Sequence, residues 1–323
     1  MCLAAGSALI GGLNDAGAQG ARARRIGVLF TSTVDKEAVT THAFFERIRE
    51  LGWTEDKDIV FIKLYADDRQ DRMPDLAARL VASKPDAIFA PNAPAAVEAR
   101  KATLNIPIVF GTVSDPVALG LVKNLARPGG NVTGVTSLGV ALHRKRLQIM
   151  AEVLPKARRM GFLGDRSRTN YVAQAERETV EHAAQELGLE VSVAECNGPE
   201  SLDAAVDILI ERRVQAALLA QTPILYNHAE RVIRRLAAAN IPAATHRAEK
   251  VVDGALFCYA ASLPSQFRRA AEMVDRVLRG AAPQDMPVEA PTLFELILNM
   301  RAARTFGITF PTSVLLRASR LFE

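Results

Sequence analysis

Cysteine is scarce in this 323-residue chain: Cys2, Cys196 and Cys258 are all there is. No C-x-x-C or H-E-x-x-H spacing occurs, so no metal site is expected. The G-x-S-x-G elbow of hydrolases, the Walker A loop and a G-x-G-x-x-G fingerprint after a strand are all missing. The Asp, His and Ser residues do not group into a triad. The chain is therefore expected to be no enzyme, with no catalytic residues and no cofactor. It also lacks internal repeats and low-complexity stretches. Its formal net charge of +4 is mild. Neither a clustered basic stripe nor a nucleic-acid-binding module is present, which argues against a nucleic-acid partner.

What is there begins at the N-terminus. Residues 3–13 form a short apolar run, followed by Ala16-Gly17-Ala18. Together they fit the apolar core and A-x-A cleavage site of a secretory signal, although the usual basic start is missing. The run is too short to span a membrane as a helix. Residues 1–23 are accordingly read as signal peptide and N-terminal tail, and the mature protein as periplasmic. Removing residues 1–18, which hold one Asp and no Lys or Arg, raises the net charge from +4 to +5. Cys2 leaves with the signal. Export would permit a disulfide, but buried free thiols are the expected state of Cys196 and Cys258.

Downstream, apolar runs suited to buried strands alternate with amphipathic helical stretches. Strands are predicted over 25–30, 59–65, 87–90 and 106–110, with helices over 42–51, 73–82 and 93–103. The pattern restarts with helices over 143–153, 173–187, 202–212 and 226–239. These alternate with strands over 159–163, 190–194, 216–220 and 241–244. A strand over 255–259, a helix over 266–278 and a strand over 286–289 follow. Such alternation means βαβ units and parallel sheets. Two successive runs give the fold class: α/β, with two doubly wound, Rossmann-like lobes. The crevice between lobes is the natural ligand site. Trp53, the sole tryptophan, follows a helix-ending Leu-Gly and should pack against the first lobe.

The most specific stretch is 106–135, IPIVFGTVSDPVALGLVKNLARPGGNVTGV. An IPIV strand, a DPV…GLV helix and a PGGNVTG crossover occur in series. In this the chain resembles the substrate-binding proteins of bacterial ABC transporters, of the tryptophan/tyrosine type, with the likeness running from Arg24 to the C-terminus. The resemblance implies the type I periplasmic binding protein fold, whose chain crosses between lobes three times. The three hinge segments then fall near 134–140, 257–263 and 283–290. Lobe 1 is expected to comprise 24–137 plus 263–285, and lobe 2 to comprise 138–262 plus 286–323. It further implies a monomer that takes a small-molecule ligand, an amino acid or small organic carboxylate, and docks on an ABC permease with its ATPase in the membrane.

Candidate ligand contacts follow from the rule that open α/β sheets bind at the carboxyl ends of their strands. In lobe 1 these are Ser32 and Thr33, beside Thr31; Asn92 and Ala93 at a helix start; and Thr112, Ser114 and Asp115. Hydroxyls and free N–H groups at helix starts suit an anion. Asp115 suits a ligand ammonium, and equally the N-cap of a helix beginning at Pro116. In lobe 2 the loop 164–171 offers Asp165, Ser167, Asn170 and Tyr171. Gln221 and Thr222 follow the next strand, and His246 follows Thr245. Tyr259 lies by the second hinge. By the resemblance this loop would read Asn-Pro-x-Asn without arginines; here it carries Arg166 and Arg168, which points to a more acidic or more polar ligand.

Two other classes compete. A repressor-like regulator shares the bilobal fold but needs an N-terminal helix-turn-helix, and only 24 residues precede the first strand. A ligand-sensing module that presents its closed form to a signalling receptor remains open.

Overall fold

The structure, a computed structural model, describes residues 22–167 and 172–323. The signal-peptide reading, Cys2, Asn170 and Tyr171 lie outside the described residues.

The first lobe is built from β1 (Arg24–Phe30), α1 (Val34–Glu50), β2 (Ile59–Tyr65), α2 (Met73–Ala82), β3 (Ala87–Ala90), α3 (Ala93–Ala102), β4 (Ile108–Val113) and β5 (Val132–Thr136). Its sheet runs β2-β1-β3-β4-β5, every pair parallel. The central strands β1, β3 and β4 are largely apolar because both faces are covered. Ile26, Val28, Phe30, Phe89 and Val109 pack on one face against Phe44 and Ile48 of α1. Leu29, Ile88, Ala90, Ile108 and Phe110 pack on the other against Leu76 and Leu80 of α2 and the alanines of α3. Trp53 joins the first of these clusters, its indole N–H donating to Asp275 at 2.8 Å.

The second lobe contains α4 (Gly139–Val153), β6 (Arg159–Asp165), α5 (Ala173–Glu186), β7 (Glu190–Cys196), α6 (Leu202–Glu211), β8 (Ala216–Leu219), α7 (Pro223–Asn227), α8 (Ala229–Ala238), β9 (Ala243–Thr245) and β10 (Phe257–Ala261). The chain then returns: α9 (Leu263–Leu278) lays Phe267, Ala270, Ala271 and Val274 on the first sheet beside α1. It crosses back to form β11 (Phe294–Asn299), α10 (Met300–Thr305), α11 (Thr312–Leu315) and β12 (Arg320–Phe322). The second sheet is ordered β12-β11-β10-β9-β8-β6-β7. It is mixed, since β11 pairs antiparallel with β10 and parallel with β12.

Several local expectations need correction. The DPV…GLV stretch is no helix but a run of turns: Gly120, at φ +66°, ends it after one turn. The helix expected over 226–239 is two helices, broken at His228. Residues 286–289 form no strand; Pro287 has no N–H to give, and Glu289 makes a single bridge to Val135. They pack with the first lobe, where Met286 and Val288 are buried. The chain thus passes between lobes at 137–138, at 262 and between 290 and 293. Cys196 and Cys258 are free, buried thiols on separate strands.

Candidate functional site

The carboxyl ends of both sheets face a cleft with two joined compartments, of about 200 and 720 Å³. The larger lies within the roughly 300–1,000 Å³ usual for small-molecule sites. Of the residues expected at the site, Ser32, Asn92, Ala93, Thr112, Ser114, Gln221, Thr222 and His246 line the smaller compartment together. Thr112, Gln221 and His246 also line the larger.

On the lobe-1 wall, Asn92 caps α3 through its Oδ1, which accepts from Ala95 N–H at 3.2 Å. Its Nδ2 donates to Thr31 Oγ1 at 2.8 Å. Glu37, one turn into α1, accepts from Ser32 N–H at 3.1 Å and is only 5% exposed. Burial pushes its carboxyl above the usual range, although those hydrogen bonds oppose the shift. Ser32 Oγ and Lys36 Nζ both donate to Asp68, at 2.7 and 2.8 Å.

The lobe-2 wall is built on buried charge. Arg146 and His143 lie three residues apart on the inner face of α4 and are 1% and 0% exposed. Arg146 donates from Nε to Tyr259 O at 2.8 Å and from Nη1 to His143 Nδ1 at 3.3 Å. His143 Nε2 lies 3.3 Å from Glu176 Oε1, which also accepts from Gln221 N–H at 2.9 Å. Burial pushes the His143 imidazole below its ordinary value. A neutral ring with its proton on Nε2 satisfies both contacts. Thr222 caps α7, its Oγ1 accepting from Leu225 N–H at 3.3 Å. Arg247 lies over the Tyr226 ring, 4.9 Å from the centroid, and pairs with Glu249.

Five buried polar atoms have no hydrogen-bond partner among the described residues and belong to side chains lining the larger compartment. They are Ser137 Oγ, Arg146 Nη2, Gln221 Oε1, His246 Nδ1 and Gln266 Oε1. Native folds rarely leave buried polar atoms unpaired without a reason. Here the first lobe supplies Gln266, the second supplies Arg146, Gln221 and His246, and Ser137 sits at the crossing. There the lobes approach closely: a Cβ on Gly139 would overlap Gln221 Oε1 and lie 2.7 Å from Ser114 Oγ.

The remaining expected contacts lie off the cleft lining. Thr33 occupies the N-cap position of α1 without a side-chain bond. Asp115 Oδ1 accepts from Val117 and Ala118 N–H at 3.1 and 2.9 Å, capping the turns that follow. Asp165 is buried at the end of β6 and accepts from Ser167 N–H at 2.8 Å. Tyr259 stacks on Phe294 and reaches the site through its carbonyl. Sequence reasoning missed Lys36, Glu37, Ser137, Arg146, Arg247 and Gln266. For Arg146 a signal existed: with His143 it shares the apolar stripe of Leu142, Leu147 and Met150, where polar residues are out of place.

His246 in the cleft lining and His143 behind it predict a pH dependence. Burial, with the positive charge of Arg146 and Arg247 nearby, holds His246 well below its ordinary value, and His143 is also lowered. Below about pH 6.5 the unfolded chain takes up protons that the folded chain refuses, so stability declines as pH falls. Urea unfolding at pH 7.5 and 5.5 should differ by about 2 kcal/mol from these two groups. A His246→Asn variant should lose about half of that difference; an unchanged slope would show that His246 protonates freely in the fold.

Among the described residues no group of three or more His, Cys, Asp or Glu could hold a metal ion, and no helix is long and apolar enough to cross a membrane.

Comparison with known proteins bears on this cleft. A family model described as ABC transporter substrate binding protein matches residues 26–321. A tyrosine-binding protein of Clostridioides difficile (strain R20291) is 30% identical over 260 residues, spanning 79% of this chain and 73% of that protein. The crystal structure of a Streptococcus pneumonia ABC domain in complex with L-Trp superposes with a TM-score of 0.86 at 23% identity, over 93% of this chain and all of that one. A ligand-free, open structure of a substrate-binding protein with adhesive properties from Clostridium difficile gives 0.72 at 24% identity, over 93% of this chain and 99% of that one. The chain belongs to the family of ABC transporter substrate-binding proteins.

Proposed function

We propose that the chain is the extracytoplasmic solute receptor of an ABC importer and captures an amino acid or small organic carboxylate between its lobes. The observation that carries this reading is the convergence of partnerless buried polar atoms on one compartment, drawn from both lobes and the crossing between them. A solute that satisfies groups on both walls binds the closed arrangement better than an open one, and so shifts the population toward closure. The crossings at 137–138, 262 and 290–293 act as the hinge. The closed monomer docks on a membrane permease whose ATPase supplies the energy, and this chain hydrolyses nothing. The relatives named after tyrosine and solved with L-Trp support an amino acid as the ligand class.

The test is thermal melting of the chain after unfolding and refolding to strip carried-over ligand. The panel holds amino acids, aromatic acids, dicarboxylates and nucleosides. A ligand at a hundred times its Kd adds about 2.7 kcal/mol of stability, or a rise of about 5 °C or more. A carboxylate hit supports the reading; a nucleoside as the sole hit removes the carboxylate class, and no response across the panel removes solute capture of these classes.

A further inference from the structure

We infer that Arg146 anchors the substrate's carboxylate and that the same substrate carries a hydrogen-bond donor, as amino and hydroxy acids do; this rests on the solute-capture reading above. Arg146 is 1% exposed, yet among the described residues no carboxylate touches its guanidinium. Glu176 stands one step away, behind a neutral His143 and hydrogen-bonded to Gln221 N–H. Burial lowers the arginine only to about 10, so it stays charged at neutral pH. A buried cation whose nearest counter-charge, Glu176, does not touch it is incompletely compensated, and a bound anion in direct contact offsets that cost.

The geometry also says how the anion sits. Nε is held by Tyr259 O and Nη1 by His143 Nδ1, which fixes the guanidinium plane. Nη2 is left over, and the side chain lines the larger compartment. One prepositioned nitrogen suits a planar monoanion; a phosphate would call for more donors. The other partnerless atoms include two amide oxygens, Gln221 Oε1 and Gln266 Oε1. These accept hydrogen bonds, so a solute that fills the compartment meets them with donors of its own. An amino or hydroxy group does so. Because Gln266 belongs to α9 of the first lobe and Arg146 to α4 of the second, one solute that reaches both would tie the lobes together.

Calorimetric titration of the stripped chain with L-tyrosine, L-tryptophan, L-glutamate and L-leucine tests this, each acid set against its decarboxylated amine and its primary amide. Inorganic phosphate is a further arm. At least one acid should bind, with its amine and amide weaker by 100-fold or more. Arg146→Met should weaken that acid at least 100-fold, while the ligand-free variant melts no lower than the parent, since an unpaired buried cation has gone. Arg146→Lys keeps the charge without the fixed fork and should fall between. An amine or amide that binds as tightly as its acid, a preference for phosphate, or full acid affinity in Arg146→Met overturns the assignment and leaves solute capture standing. If Arg146→Met folds poorly, the acid-against-amide comparison on the parent chain still decides. Binding of none of these acids overturns the assignment; if the wider panel also gives no melting response, the solute-capture reading falls with it.

Discussion

Replacing Gly134 by alanine should cost about 3–5 kcal/mol, a third or more of the stability of an ordinary domain. The residue closes the PGGNVTG segment and lies in β5 opposite Phe110 of β4. Its φ is +155°, in a region that side chains rarely adopt. A Cβ there would overlap the Phe110 carbonyl oxygen and lie 2.5 Å from Phe110 Cδ2. Neither can yield: the carbonyl is backbone and the ring is fully buried. Backbone strain of about 1–3 kcal/mol and overpacking of similar size then add. Urea unfolding would measure the loss. A change below 1 kcal/mol would mean that β5 can slide away from β4 at little cost.

The second large effect is expected at Glu176. This carboxylate is 1% exposed and serves His143 Nε2–H and Gln221 N–H together. Glu176→Ala leaves both donors unpaired and removes the nearest counter-charge to Arg146. Breaking a buried charged group out of its network in this way costs about 3–5 kcal/mol. Glu176→Gln keeps an acceptor oxygen and should cost less. The informative variant is the double one: with Arg146→Met added to Glu176→Ala, part of the loss should return, because the stranded cation is gone. Strict additivity of the two changes would show that arginine and carboxylate do not sense each other. The comparison separates the network's role in holding the fold from its role at the cleft.

Most strands were legible as apolar runs, although β11 and β12 were not predicted, and the resemblance carried by residues 106–135 led to the right fold class. The PGGNVTG part of that segment, however, is structural. None of residues 127–134 lines the cleft. Asn131 ties the loop down by donating to Ile106 O at 2.7 Å, and Thr133 Oγ1 donates to Met286 O at 2.7 Å. The start of α1 was hidden for a physical reason. Val39, Thr40 and Thr41 are β-branched and disfavour helix, yet Thr40 and Thr41 turn their hydroxyls onto the carbonyls of Lys36 and Glu37. Glu37 was lost with that turn. The strand-end rule found hydroxyl and amide groups such as Ser32, Asn92 and Gln221. It could not find Arg146 or Gln266, which reach the cleft from mid-helix or from the returning α9.

That return has a consequence for synthesis. When the first sheet is complete at residue 136, its face bearing Val28, Phe89 and Val109 has α1 but not α9. The missing cover, Phe267 and its neighbours, emerges from the ribosome only after α4 through β10 have been made. The second sheet in turn waits for β11 and β12, at the very end of the chain. A chain stopped short of residue 263 therefore presents one bare apolar face and one unpaired sheet edge, the surfaces on which partly folded chains associate. Each lobe is completed only by chain that has first passed through the other.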